Sequence, residues 1–103
     1  MSFIDVTGAH GGPYRFQLAD EGSRVSVMGG EYLYVRSEAR GWTIVFAAES
    51  NNLSADAHRR WNEAVSQHGA NRLYTRLNVA AAARDAELSD ILEQYAPPMN
   101  KAS

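Results

Sequence analysis

Residues 31–48 read EYLYVRSEARGWTIVFAA, and this stretch decides the fold. Residues 31–37 and 43–48 are rich in aromatic and β-branched side chains, which favour β-strands. The segment between them is short, polar and contains Gly41, so the two runs are predicted to form a hairpin with Trp42 in its turn. Both runs are apolar at consecutive positions, and we therefore expect two strands that are covered on both faces and central in their sheet.

The chain before the hairpin shows weaker strand signals. Residues 14–18 alternate between apolar and polar side chains, which is typical of a half-buried strand. A second alternation at residues 25–27 suggests another strand, and residues 20–23 (DEGS) have the composition of a turn. The glycines near the start predict that residues 1–13 form a flexible N-terminal arm.

After the hairpin, the pattern changes to helix, strand and helix. Ser54 is a candidate N-cap for a first helix, which Gly69 is expected to end. Residues 72–78 alternate and predict a strand with one solvent-exposed face. Residues 80–95 predict the last helix, which the following Pro97-Pro98 stops. The apolar stripe of this helix consists of Leu88, Ile91, Leu92 and Tyr95.

This order of elements predicts the fold class. Two main helices are expected to pack on a short mixed or antiparallel sheet with a central hairpin, which makes an α+β domain. The length of 103 residues, with 45% hydrophobic and 21% charged residues, suits one globular domain with one modest core. We assign this single domain to residues 14–100, between the arm and a tail at residues 101–103.

Composition excludes several classes of protein. Cysteine is absent, so the chain has neither disulfides nor a thiolate metal site. No apolar run reaches the roughly 18 residues of a membrane-spanning helix, and residues 1–5 lack the basic and apolar regions of a signal peptide. We therefore expect a soluble cytoplasmic protein with no membrane association.

Charge is nearly balanced overall but uneven along the chain. The net charge of −2 gives no general attraction to nucleic acid. Residues 57–84 contain five arginines and one acid, whereas residues 85–93 contain four acids and no base. Solvated faces of helices and strands account for this distribution.

Three short motifs occur in a definite order. Gly30-Glu31-Tyr32 opens the first hairpin strand, residues 44–53 (IVFAAESNNL) end the second strand and enter a helix, and residues 95–100 (YAPPMN) end the last helix. Together they resemble the GIY-YIG nuclease superfamily, whose members read roughly G-x-Y, then Y-[IV]-G-x-[ST]-x-[DN]-L, then Y-x-P-P-L-N. The resemblance covers residues 30–100 and rests on order and spacing, because no single motif is specific.

The resemblance implies metal-assisted hydrolysis of phosphodiesters. In that family the first tyrosine, and in some members the second, helps to deprotonate the attacking water. An arginine on the first helix stabilises charge on the phosphate, and a glutamate on the last helix holds a divalent ion. The anionic transition state requires the cation and the metal, and a hard metal such as Mg²⁺ requires a carboxylate oxygen.

Carried over residue by residue, the resemblance gives an incomplete site. Tyr32 matches the first tyrosine, and Asn100 matches the closing asparagine. Phe46 replaces the second tyrosine and lacks its hydroxyl, and Asp56 replaces the arginine and reverses its charge. Leu88 replaces the metal-binding glutamate. We therefore expect a degenerate, non-catalytic member that uses no cofactor and no metal.

Neighbouring residues offer possible substitutes. Arg59 and Arg60 lie about one helical turn beyond Asp56, so one of them can reach the same face. Glu87 precedes Leu88, but one helical step rotates a side chain by about 100°, which should point Glu87 away from the metal position. If these residues restored a site, the domain would be a nuclease that requires Mg²⁺.

Two further places are candidates for binding. Arg72, Tyr74 and Arg76 alternate on one strand face, and such a face can contact phosphates and stack on bases. An ordinary solvated strand face explains the same pattern. Trp42 in the predicted turn suits an interaction surface. No His, Asp or Glu cluster has convincing spacing for a zinc site.

These observations favour a GIY-YIG-like domain that acts as a binding or assembly module. The partner is open: a protein, a second copy of the chain and nucleic acid are all compatible with the sequence. The alternatives are a metal-dependent phosphodiesterase with relocated catalytic residues and a nucleic-acid-binding module that does not cleave.

Overall fold

A five-stranded sheet forms the middle layer of the protein. The computed structural model describes residues 2–19 and 24–101. The strands are β1 (Phe3–Val6), β2 (Tyr14–Leu18), β3 (Gly30–Glu38), β4 (Gly41–Ser50) and β5 (Arg72–Leu77). Their order across the sheet is β1-β2-β5-β3-β4, and every neighbouring pair is antiparallel.

Helices cover both faces of this sheet. They are α1 (Leu53–Asp56), α2 (Trp61–His68), α3 (Ala81–Tyr95) and α4 (Pro98–Lys101). The face that carries α1, α2 and α4 is called the front face below, and the face that carries α3 is the back face. The predicted small α+β domain is therefore confirmed. No helix in the described part of the chain is long and apolar enough to cross a membrane.

Alternation along β3 divides the core into two halves. Successive side chains of a strand point to opposite faces of the sheet, so the tyrosines of β3 face front and its aliphatic residues face back. The front core contains Tyr32, Tyr34, Val45, Phe46, Leu53, Ala57, Ala64, Ala70, Leu73 and Met99. The back core contains Val6, Phe16, Leu33, Val35, Ile44, Ala47, Tyr74 and Ile91.

The hairpin of β3 and β4 is the longest pairing in the sheet, as the sequence indicates. Its turn consists of residues 39–40, so Trp42 lies in β4 and not in the turn. The register shifts between Tyr34 and Val35, which lets Val45 and Phe46 both face front. β3 is interior as expected, whereas β4 lies at the edge of the sheet, and the prediction that both strands are central is wrong for β4.

The prediction of a flexible arm at residues 1–13 is also wrong. β1 lies within those residues and pairs with β2, and Val6 is fully buried in the back core. The domain therefore begins before residue 14. The strand expected at residues 25–27 is absent, since residues 24–29 have no regular structure. The predicted turn at residues 20–23 lies outside the described residues.

The single helix expected after Ser54 is split into α1 and α2 by a turn at residues 57–60. The N-cap of α1 is Asn52, whose side chain accepts a hydrogen bond from the backbone N–H of Ala55 at 3.1 Å. Gly69 ends α2 in the left-handed conformation, with φ of 71°, as predicted. Tyr34 explains the break, because its hydroxyl donates to the carbonyl of Ala57 and accepts from the backbone N–H of Arg60.

α3 and its apolar stripe match the sequence prediction, since Leu88, Ile91, Leu92 and Tyr95 all pack in the back core. The short α4 was not expected. Its residue Asn100 lies against the outer edge of β4, where its side-chain amide accepts from the N–H of Ala47 at 2.9 Å and donates to the carbonyl of Ala47 at 2.8 Å. Asn100 thus acts as one residue of an additional strand and closes an edge that would otherwise be unpaired.

We predict that Asn100→Ala destabilises the domain by about 2–4 kcal/mol, because two buried backbone groups of Ala47 lose their partners. Urea unfolding of the variant and the parent chain measures this difference. Lys101→Ala, at an exposed neighbouring position, is the matched control and should change stability by less than about 0.5 kcal/mol. Equal midpoints for Asn100→Ala and Lys101→Ala would contradict the role given to Asn100.

Candidate functional site

Three of the positions that carry the resemblance lie together on the front face. The rings of Tyr32 and Phe46 have their centroids 6.0 Å apart. Burial raises the pKa of Tyr32, and the nearby carboxylate of Asp56 raises it further. Asp56 itself accepts a hydrogen bond from the Ser50 hydroxyl at 2.6 Å. The front face therefore brings Tyr32, Phe46 and Asp56 into one neighbourhood.

The two arginines considered as substitutes lie at the same place, but each is paired with an acid. Arg59 lies 3.0 Å from a carboxylate oxygen of Asp56. Arg60 donates two hydrogen bonds to Glu63 and places its guanidinium 5.0 Å from the ring centroid of Phe46. A phosphate at this site would have to compete with both carboxylates for these cations.

Leu88 does not join this group, because it packs in the back core on the other side of the sheet. Leu88, the position that the resemblance assigns to the metal ligand, is thus separated from Tyr32 and Phe46 by the thickness of the sheet. Glu87 also lies on the back face, where its carboxylate accepts a hydrogen bond from Nε of Arg76 at 2.9 Å. The tyrosine, cation and carboxylate positions therefore do not surround one cleft.

The hydroxyls on the front face are poorly suited to act as bases. Burial raises the pKa of Tyr34 to about 12, and its hydroxyl is engaged by the backbone at the α1–α2 turn. Tyr32 is 6% exposed, and its pKa is also raised. A tyrosine with a raised pKa is almost entirely protonated at neutral pH and removes a proton from water only weakly.

The back face contains a feature that the sequence reasoning missed. Glu31 on β3 stands opposite Glu49 on β4 and Arg76 on β5, which makes a row of three charged side chains across the sheet. α3 places two more charged side chains, Arg84 and Glu87, over this row. The five residues, which we call the charged layer, are Glu31, Glu49, Arg76, Arg84 and Glu87.

Four members of the charged layer form two ion pairs. Arg76 pairs with Glu87 at 2.9 Å, and Arg84 approaches Glu49 at 3.4 Å. Arg84 is 3% exposed and also donates to the backbone carbonyls of Asn78 and Val79. These bonds attach the first half of α3 to the ends of two strands.

Glu31 is the member of the layer without a close cation. It is 1% exposed, and neither of its carboxylate oxygens accepts a hydrogen bond from a described residue. The nearest cation is Nε of Arg76 at 3.8 Å. Burial, followed by the charge of Glu87, raises the pKa of Glu31 to about 8. The pKa of Glu87 shifts in the opposite direction. Burial alone would raise this pKa, but the hydrogen bond from Arg76 holds it below the ordinary value.

Position 30 can hold only glycine, because β5 and α1 pack closely against it. A Cβ atom there would lie 2.1 Å from the carbonyl oxygen of Arg76 and 2.8 Å from the side chain of Leu53. β5 and α1 therefore approach the start of β3 more closely than any other residue type permits. The glycine of the Gly30-Glu31-Tyr32 motif has this structural reason whatever the domain does.

A groove of about 390 Å³ runs beside α3, and Glu87 lines it. On its floor Asp90 accepts hydrogen bonds from the backbone N–H groups of His10 and Gly11 and from the Tyr14 hydroxyl. The bond to Asp90 raises the pKa of Tyr14 to about 12. His10, Asp90 and Glu93 are the one group of possible metal ligands that lie close together among the described residues. The sequence spacing gave no sign of this group, because His10 is 80 residues from Asp90.

This group has a structural explanation that needs no metal. Asp90 anchors the loop between β1 and β2 onto α3, and Nε2 of His10 lies 3.0 Å from the Glu93 carboxylate. His10 and Glu93 are both largely exposed. A surface contact of this kind accounts for their positions.

The predicted binding strand is mostly occupied by internal contacts. Tyr74 is 7% exposed and packs in the back core, so the expectation of a solvent-exposed face is wrong there. Arg76 is half-buried and belongs to the charged layer. Arg72 is exposed as expected. Trp42 is partly buried against Tyr95, with ring centroids 5.9 Å apart.

Apolar side chains are exposed at one end of the sheet. Asn78 donates a backbone hydrogen bond to the carbonyl of Gly29 at 3.1 Å, which places residues 27–29 beside residues 77–79. Four large apolar side chains in these two segments are 52–70% exposed. We call this surface the apolar end, and it consists of Val27, Met28, Leu77 and Val79.

No protein-family model, curated protein or solved structure matches this chain significantly. The positions and contacts of its own residues are therefore the basis for a proposed function.

Proposed function

We propose that this chain is a GIY-YIG-like domain that does not cleave phosphodiesters and binds a protein through its apolar end. The motif residues support the family. Gly30 starts the interior strand, Tyr32 faces front beside the second hairpin strand, and Asn100 fastens the last helical turn to that strand. Gly30 and Tyr32 are thus part of the central hairpin, and Asn100 is hydrogen-bonded to it.

The occupants of the chemical positions support the absence of cleavage. Asp56 brings a negative charge to the place where the family has a cation, and phosphate carries negative charge as well. Leu88 lies in the back core, so it neither binds a metal nor faces Tyr32. Losing the cation and the metal together removes the two largest sources of transition-state stabilisation for this reaction.

The apolar end is the observation that carries the binding proposal. Exposed large apolar side chains that occur singly are ordinary, but a contiguous group of them marks an interaction site. Val27, Met28, Leu77 and Val79 are four such side chains, and they lie on two segments that a backbone hydrogen bond holds side by side. Covering these side chains with a protein partner would remove apolar surface from water, at about 25 cal/mol for each Å².

Nucleic acid is less well supported as the partner. Six arginines form ion pairs with carboxylates of described residues, and these are Arg15, Arg36, Arg59, Arg60, Arg76 and Arg84. A phosphate backbone would have to displace those carboxylates, which weakens the electrostatic gain that dominates nucleic-acid binding. Arg72 alone on its strand face does not form a basic track.

We expect the purified chain to leave supercoiled plasmid and a single-stranded oligonucleotide intact in Mg²⁺ or Mn²⁺. Gel electrophoresis after long incubation measures this, with Glu87→Gln prepared in parallel as a control for contaminating nucleases. Cleavage by the parent chain that Glu87→Gln abolishes would contradict the proposal and favour a nuclease with a relocated carboxylate. Cleavage that persists unchanged in Glu87→Gln marks a contaminant, and repurification must then abolish it if the proposal is right.

We expect a photo-crosslinking side chain at position 77 to give a discrete covalent product with a protein in the native cell. The matched control carries the same group at Asn62, an exposed position on α2. Val79→Ser should reduce the product from position 77 by about fivefold, since losing about 1 kcal/mol of apolar contact weakens binding by that factor. The mass of the product distinguishes a second copy of the chain from another protein.

The binding proposal fails if position 77 gives no product, or if positions 77 and 62 give the same products. It also fails if Val79→Ser leaves the yield at position 77 unchanged, because contact through the apolar end must involve its neighbouring side chain.

A further inference from the structure

The charged layer contains one more carboxylate than it has cations. Glu31, Glu49 and Glu87 carry three potential negative charges, whereas Arg76 and Arg84 carry two positive charges. Glu49 and Glu87 each have a guanidinium close by, so the unmatched carboxyl is Glu31. Because Glu31 is buried, an unpaired negative charge on it would be energetically unfavourable. A buried carboxyl in this situation keeps its proton and stays neutral.

The groups around Glu31 determine what happens when that proton leaves. Asn78 follows β5 and lies near enough to the Glu31 carboxyl to interact with it, and the Tyr14 hydroxyl on β2 is close enough to be affected by its charge. The titratable and charged groups that face Glu31 are Glu49 of β4, Arg76 of β5, Arg84 and Glu87 of α3, and Tyr14 of β2.

We propose that the charged layer is a pH-sensitive latch, in which Glu31 holds a proton between itself and Glu87 and α3 loosens from the sheet when that proton is lost. Only the O–H bond breaks, and the proton passes to the buffer. Two carboxylates then face each other between sheet and helix with Arg76 as their one shared cation. Moving α3 outward is the available relief, because β3 is fixed on both sides by β4 and β5.

The direction in which the pKa of Glu31 is shifted determines how the stability of the folded chain depends on pH. The pKa of Glu31 is raised in the folded state, to about 8 from an ordinary value of 4.5. The folded chain therefore binds this proton more tightly than the unfolded chain does. The resulting stabilisation is complete below the ordinary pKa, decreases as pH rises, and is lost above about pH 8.

Trp42 provides a direct signal for the position of α3, because it packs against Tyr95 in the last turn of that helix. The other tryptophan, Trp61, lies on the front face against Tyr34 and can be removed as Trp61→Phe. In that background, Trp42 emission followed between about pH 7 and about pH 9 reports on α3 above the ordinary range of histidine. Amide hydrogen exchange of residues 81–95, corrected for intrinsic rates, is the second readout.

We expect one step in Trp42 emission centred near pH 8, accompanied by faster corrected exchange in α3. Glu31→Gln should abolish the step, because the amide is neutral throughout this range. Glu87→Gln should move the step to lower pH, since it removes a like charge and frees Arg76 to pair with Glu31. Glu93→Gln is the matched control on the same helix outside the charged layer, and it should leave the step in place.

The proposal is overturned if the parent background shows no step, or if Glu31→Gln retains it at the same pH. If Glu31→Gln fails to fold, the shift in Glu87→Gln decides, and an unmoved step in that variant contradicts the latch. None of these outcomes depends on the apolar end or on nuclease activity, so the latch and the proposed function can fail separately.

Discussion

Five buried or half-buried ionisable side chains lie between α3 and the sheet, and their charges have to be matched. Burying an ion pair costs desolvation that only good geometry repays, and one unmatched charge costs several kcal/mol. Arg84 and Arg76 match Glu49 and Glu87, which fixes α3 both along and across the strands. Glu31 is the one member that has to be neutralised in another way, by holding a proton.

Local pattern was sufficient to predict the hairpin, β2, β5 and α3, because each contains its own signal of alternation or helical period. The split between α1 and α2 was not predictable in this way. It depends on the hydroxyl of Tyr34, which lies 23 residues from the carbonyl of Ala57 that it binds. β1 was missed because its short, half-exposed sequence is held mainly by pairing with β2, a contact between segments.

The candidate site was predicted only in part, for a related reason. The resemblance implied one site containing Tyr32, Phe46, Asp56 and Leu88, and the structure brings the first three together on the front face. It places Leu88 on the opposite face of the sheet. The charged layer had no motif at all, since it consists of residues that alternate with the recognised ones: Glu31 beside Tyr32, and Glu87 beside Leu88. A search for acidic residues inside otherwise apolar strands would have found Glu31.

The back face contains the charged layer, and the front face contains Tyr32, Phe46 and Asp56. The most direct test is the side-chain carboxyl ¹³C chemical shift of Glu31, followed by NMR through a pH titration of the intact chain. A midpoint near 8, far above the ordinary value of 4.5, is the result that the charged layer predicts. A midpoint at or below 4.5 would show that Glu31 is ionised at neutral pH, and would contradict the account of how α3 is held.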